Sequence, residues 1–254
     1  MHDLKITFMP EQTKKNFLRL QADPRLAGFT LVGGTALALQ MGHRISEDLD
    51  FNLFGEKLPR RTIDEMLVDW TANGATIKNL ITPEQRSSFK INTSENLDHY
   101  IQDYEIDGTK ITFQSRVAGE RPQKQIDYLV SAKKIELDPK GFGVLGLDGL
   151  FVMKSIVVYD RVKSRDLYDL MMLLEHLNYN LDHVLSVIEA YLPFRHKDPE
   201  HFKCVATGII PLDTDDEGFE SIHLKVEMDQ IYNYFKKLID AHEIRTARQL
   251  NLKP

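Results

Sequence analysis

A chain of 254 residues with 42% apolar and 28% charged side chains can bury a substantial core, which excludes a disordered or fibrous class. Its net charge of −6 argues against a uniformly basic nucleic-acid binder, and a single cysteine, Cys204, excludes an intrachain disulfide. The amino-terminal residues lack the apolar core of a signal peptide, and Asp148 and Lys154 break the most apolar stretch, 144–159, so a cytoplasmic protein is expected.

Residues 10–21 read as a first helix, with Pro10 near its start and Phe17, Leu18 and Leu20 among its apolar positions. Phe29 to Val32 is an apolar strand that runs into the turn Gly33-Gly34-Thr35, and 36–41 is helical in character. A second strand follows Asp48 and ends near Phe54, closed by a turn at Gly55 and Pro59. Over 62–72, Ile63, Met66, Leu67 and Trp70 recur at helical spacing, which makes Trp70 a core residue. Residues 76–81 are expected to be extended and to lead into a polar loop. Asp107-Gly108, between 100–106 and 109–115, predicts a hairpin closed by a type I′ turn.

Gln125 to Val130 is expected as another short strand, carrying Asp127. Beyond Gly146 the pattern turns helical, over 147–162, 166–177 and 181–192, with Pro193 stopping the last of these. The acidic run 213–218 lacks the ligand spacing of a calcium loop and is expected to be solvated. A long helix over 223–247 ends the pattern. Positive residues gather at Arg116, Arg121, Lys124, Lys133, Lys134 and Lys140, where a solvated face suffices, and again at Lys154, Arg161, Lys163 and Arg165.

The chemistry concentrates in FTLVGGTALALQMGHRISEDLDFNLF, residues 29–54. Two glycines at a strand-to-helix turn let a phosphate approach the backbone, and the amides opening the helix favour an anion. Gly33, Gly34 and Thr35 are therefore expected to hold a triphosphate, Thr35 through its hydroxyl and amide. Residues two apart in a strand share a side, so Asp48 and Asp50 present two hard carboxylates together, as Mg2+ or Mn2+ requires. Two such ions need about three carboxylates, and Asp127 is the candidate for the third. Arg44 and Ser46 flank the pair; Arg44 could contact phosphate or pair with Glu47 or Asp48, and His43 is read as structural.

The order GG[S/T], short helix, Asp-x-Asp and a later strand aspartate resembles the polymerase β-like nucleotidyltransferases. Within them, GGTALAL, GHRIS and DLDF look like the AbiEii/AbiGii abortive-infection toxins, and MKSIVVYDRVKSRDLYDL agrees. The resemblance implies an α+β nucleotidyltransferase-like mixed sheet flanked by helices over 1–140, with a helical part over 141–254 completing the site. It implies functional roles for Lys154 and Asp166, nucleoside triphosphate as substrate, a cognate antitoxin protein as partner, and for some members the 3′ end of tRNA as acceptor. Lys154 would neutralise the triphosphate, and Arg161 and Arg165 would hold phosphate or the acceptor backbone. Asp166 opens a helix on this reading, so an N-cap is its plainer role. A nucleotidyltransferase acting on a protein or a small molecule, and a catalytically idle nucleotide- or partner-binding member, are the alternatives. A Walker-type ATPase would need a lysine after the glycines, and a dinucleotide module a G-x-G-x-x-G, and neither is present.

Overall fold

The computed structural model describes residues 4–54, 57–115, 123–137, 141–192, 198–220, 222 and 224–251. Arg116, Arg121, Lys140, Gly55 and Pro193, each named above, and the first residue of the range 223–247 lie outside the described residues. The chain divides into two compact units, Met1–Leu150 and Phe151–Pro254. The architecture is α+β, a mixed sheet with flanking helices followed by a helical part.

The first unit contains α1 (Glu11–Gln21), β1 (Thr30–Val32), α2 (Gly33–Met41), β2 (Leu49–Leu53), α3 (Arg60–Ala72), β3 (Ile77–Asn79) and α4 (Pro83–Thr93). It continues with β4 (Ile101–Ile106), β5 (Thr109–Ser115), α5 (Gln123–Ser131), β6 (Lys134–Glu136) and β7 (Gly143–Leu145). The strands form one sheet in the order β3-β4-β5-β2-β1-β7-β6. β1 runs antiparallel to β2, whereas β2 and β5, and β1 and β7, pair in parallel. Alternation along β2 sends Leu49 and Phe51, both 0% exposed, to one face, and so turns Asp50 to the other.

On the apolar face Phe51 stacks on Phe113 at 5.6 Å and meets Phe142 edge-on at 4.8 Å, with Phe17 packed against Phe142 at 5.5 Å. Edge-to-face pairs of this kind add about 0.5–1.5 kcal/mol each beyond area burial. Helix α2 buries five consecutive residues, Thr35 to Leu39, because its composition is apolar all round. Helix α3 buries Ile63, Met66, Leu67 and Trp70, as its spacing predicts. Asp107 and Gly108 close the β4–β5 hairpin with φ of 50° and 80°, the signs a type I′ turn demands.

Several stretches differ from expectation, two of them within the first unit. The polar loop after residue 81 contains α4, opened by a capping box in which Thr82 accepts from the Gln85 amide and Gln85 from that of Thr82. The expected strand at Gln125 to Val130 is the helix α5. It buries Ile126 and Leu129, three apart, a helical repeat rather than the alternation of a strand.

The second unit takes over within α6 (Leu147–Asp160) and continues with α7 (Ser164–Leu177), α8 (Leu181–Tyr191), α9 (Pro199–Ala206) and α10 (Met228–Asn251). Its core includes Phe202 and Phe235, with ring centroids 6.2 Å apart, and Ile231, Phe235 and Ile239 recur every four residues along the buried stripe of α10. α6 ends at Asp160 and α7 begins at Ser164, so the link between them is 161–163 and Asp166 is the third residue of its helix. Among the described residues no helix is long and apolar enough to cross a membrane.

Candidate active site

In the first unit, the antiparallel pairing of Val32 with Asp50 brings the start of α2 beside the aspartate pair. Gly33, with φ of 73°, lies so close to Asp50 that an added Cβ would stand 2.7 Å from Oδ2. At Gly34 a Cβ would collide with Nη2 of Arg44 and come within 3.2 Å of Ser46 Oγ. Each glycine thus serves a close approach: a carboxylate at the first, a guanidinium at the second. Arg44 and Ser46 are both buried, and Arg44 also donates from Nη1 to the Ile45 carbonyl at 3.0 Å. Gly33→Ala is expected to displace the Asp50 carboxylate and, through its left-handed backbone, to cost about 1–2 kcal/mol. A lower urea midpoint checks this, and an unchanged midpoint would contradict the close approach.

Asp48 lies one residue before β2 and is exposed, Asp50 is half-buried, and fully buried Leu49 separates them. The segment leading to them is stitched down along its length. Phe8 O accepts from the Ser46 amide at 3.0 Å, and Glu47 O accepts from Thr13 Oγ1 at 2.8 Å. Thr35 Oγ1 donates to the Asp48 carbonyl and meets Ser46 Oγ at 2.8 Å. A hydroxyl has one proton to give, so Ser46 donates to Thr35 and Thr35 to Asp48. The Thr35 side chain, 2% exposed, therefore holds the aspartate segment against α2, a role its phosphate-binding expectation did not contain.

Two carboxylates suit one magnesium-sized ion whose other ligands are substrate phosphates and water. On β5 the residue paired with Asp50 is Thr112, not an acid. Asp127 is on the exposed side of α5, where Gln123 Nε2 donates to its Oδ1 at 2.7 Å, rather than in a strand. Among the described residues no group of three His, Cys, Asp or Glu is arranged to hold a metal ion.

The second unit holds a separate ionic cluster. Lys154 Nζ lies 2.5 Å from Asp166 Oδ1 and 2.7 Å from Asp169 Oδ2, and Arg161 Nε donates to Asp166 Oδ2 at 2.8 Å. Lys154, Asp166 and Asp169 are 6%, 3% and 0% exposed, whereas the Arg161 side chain is 58% exposed. Burial pushes the Asp166 carboxyl up, but the charges of Lys154 and Arg161 and the bonds they donate prevail and hold it below the ordinary carboxylate value. The balance of two cations and two anions lets so polar a group stay buried.

Asp166 is no N-cap: its carboxylate is spent on Lys154 and Arg161, and the capping of α7 comes from the acidic loop. That loop is not simply solvated. Arg165 donates from Nε to Gly218 O at 2.8 Å and pairs with Glu217 at 2.8 Å. Asp169 is the member of the cluster whose contact the motif alone did not reveal. Its spacing of three from Asp166 on one helix was the available signal.

A family model described as nucleotidyl transferase AbiEii toxin, type IV toxin–antitoxin system, matches residues 18–248. No curated protein matches the sequence significantly. Among solved structures, the chain is similar to a presumed nucleotidyltransferase from H. pylori, at 17% identity over 94% of this chain and 98% of that one, with a TM-score of 0.49. It is also similar to ANT(2")-Ia in complex with adenylyl-2"-tobramycin, at 13% identity over 69% of this chain and 94% of that one, with a TM-score of 0.41.

Proposed function

Since this chain belongs to the AbiEii family of nucleotidyltransferase toxins, we propose that it uses a divalent cation, Mg2+ or Mn2+, to transfer a nucleoside monophosphate to the 3′ end of tRNA. On this reading it is the toxin of a toxin–antitoxin pair and is restrained by a cognate antitoxin protein. The acceptor hydroxyl oxygen bonds to the α-phosphorus and gives up its proton to solvent, the bond from that phosphorus to the bridging oxygen breaks, and pyrophosphate leaves with the electron pair. The observation that carries the reading is the Asp50 carboxylate set against the backbone of Gly33 at the start of α2.

Asp48 and Asp50 are the residues that would hold the cation, which when bound would neutralise negative charge on the triphosphate and on the departing pyrophosphate. The amides opening α2 and the Arg44 guanidinium supply positive potential for the phosphates. Thr35 and Ser46 fix the aspartate segment so that both carboxylates meet the substrate already in position. We assign Lys154, Arg161, Asp166 and Asp169 to the same reaction, with Arg161 as the phosphate-contacting member because its side chain is the exposed one. Asp166 holds that guanidinium, and Lys154 in turn pairs with Asp166 and Asp169.

Incubation with each labelled triphosphate, total RNA and total protein tests the acceptor. Label entering RNA of tRNA length, removable by 3′ exonuclease, is the expected result. Label entering protein, or only small molecules, would overturn the RNA assignment while keeping the transfer chemistry.

A further inference from the structure

The acidic run 213–218 makes an ordered set of bonds to the link between α6 and α7. Val162 donates its amide to Asp213 Oδ2 at 3.1 Å, and Asp213 returns its own amide to the Val162 carbonyl at 2.9 Å. Asp216 Oδ1 accepts from both the amide and the hydroxyl of Ser164, at 2.9 and 3.0 Å, while its Oδ2 accepts from the Gly218 amide at 3.3 Å. The first helical amide of α7 is therefore capped from a loop far along the chain, since Lys163 at the N-cap position supplies no side-chain bond. Phe219 seats the end of the loop against α7, its ring 6.0 Å from that of Tyr168.

Two layers separate within this loop. Asp213 and Asp216 bond to backbone, with Asp213 Oδ2 also 4.0 Å from Lys163 Nζ, and Ser164 beneath them is 1% exposed. Asp215 and Glu217 point outward, with side chains 82% and 75% exposed, and pair with Lys163 and Arg165. Exposed pairs of that kind contribute little, whereas bonds to amide groups fix where a backbone segment runs. The segment so fixed is 161–164, which carries Arg161 at one end and leads directly into Asp166.

We propose that Asp213 and Asp216 are positioning residues for nucleotide transfer: they clamp the 161–164 link so that Arg161 and Asp166 meet in the geometry the reaction uses. The inference rests on the assignment of the Lys154 cluster to the reaction. The partial charges of an amide and the shape of the link carry the effect, and the formal charge of the loop does not.

The test uses the full chain and the labelled-triphosphate assay. Asp213→Ala is expected to lower kcat about tenfold, whereas Asp213→Asn, which keeps a carbonyl oxygen for the Val162 amide, restores it to within about twofold. The outward pair Asp215→Asn and Glu217→Gln is expected to leave kcat unchanged. If Asp213→Ala fails to fold, Asp216→Asn combined with Ser164→Ala thins the same contacts and must lower kcat at least threefold. Asp213→Asn as slow as Asp213→Ala, or an outward pair as damaging as the inner one, would overturn the clamp in favour of a charge effect. Full activity of Asp213→Ala would overturn it outright. Arg161→Ala, run alongside, separates the two levels: if it transfers at the full rate, the cluster assignment fails rather than the clamp.

Discussion

Replacing either Asp50 or Asp48 by asparagine is expected to slow nucleotide transfer by about a thousandfold or more, since several kcal/mol of charge stabilisation ride on the carboxylates and each 1.36 kcal/mol is tenfold. Asparagine keeps the size and one oxygen of aspartate but not the charge, so the substitution isolates the chemistry. Asp48 is exposed and Asp50 half-buried, and neither belongs to the apolar face on which Phe51 packs. Unfolding midpoints are therefore expected to stay within about 1 kcal/mol of the parent. Transfer at the parental rate in both variants would remove the aspartates from the mechanism.

Lys154→Met is expected to act in the opposite manner, through stability first. Methionine matches the stem of lysine but leaves Asp166 and Asp169 buried without their ammonium partner, and breaking a buried pair from one side costs about 3–5 kcal/mol. The acid sensitivity of this cluster has a definite sign. Asp166 titrates below its ordinary value in the folded chain, so the stability it contributes is fully present above that ordinary value, about 3.9. It is lost as pH falls through the lowered native value. Urea midpoints compared at pH 6 and pH 3 should therefore fall more in the parent than in Asp166→Asn. Equal falls would show that the carboxylate is not held ionised by its neighbours. Lost activity in a lysine variant must accordingly be normalised to folded protein before it is read as chemistry.

Much of the first unit was legible because its signals are local. The strand into Gly33, the alternation along β2, the helical spacing around Trp70 and the Asp-Gly hairpin each depend on neighbours a few residues away. The Thr82 to Gln85 capping box is equally local, and it opens α4 within a stretch whose polar composition reads as a loop. Gln125 to Val130 is too short to distinguish periods of two and 3.6, and the burial of Ile126 and Leu129 decided for a helix. Strands β6 and β7 have three residues each, and β7 owes its place to parallel pairing with β1 far earlier in the chain.

In the candidate site, residue types were readable but partners were not. Thr35 in a Gly-Gly-Thr turn suggests phosphate, yet its hydroxyl is engaged by Ser46 and the Asp48 carbonyl. Arg165 in a basic link suggests phosphate too, yet Glu217 and Gly218 hold it, because the acidic loop folds back across it. Sequence position shows a charge; only the fold shows what it faces.

Transfer by this route requires that Asp48 and Asp50 take a divalent cation together with triphosphate at the start of α2. Titration of Mn2+ into the full chain, followed by electron paramagnetic resonance with and without a non-hydrolysable triphosphate, measures this without relying on turnover. Tight Mn2+ binding that requires the triphosphate, and that weakens at least tenfold in Asp50→Asn, is the predicted result. Equal Mn2+ affinity in the parent and in Asp50→Asn would contradict it.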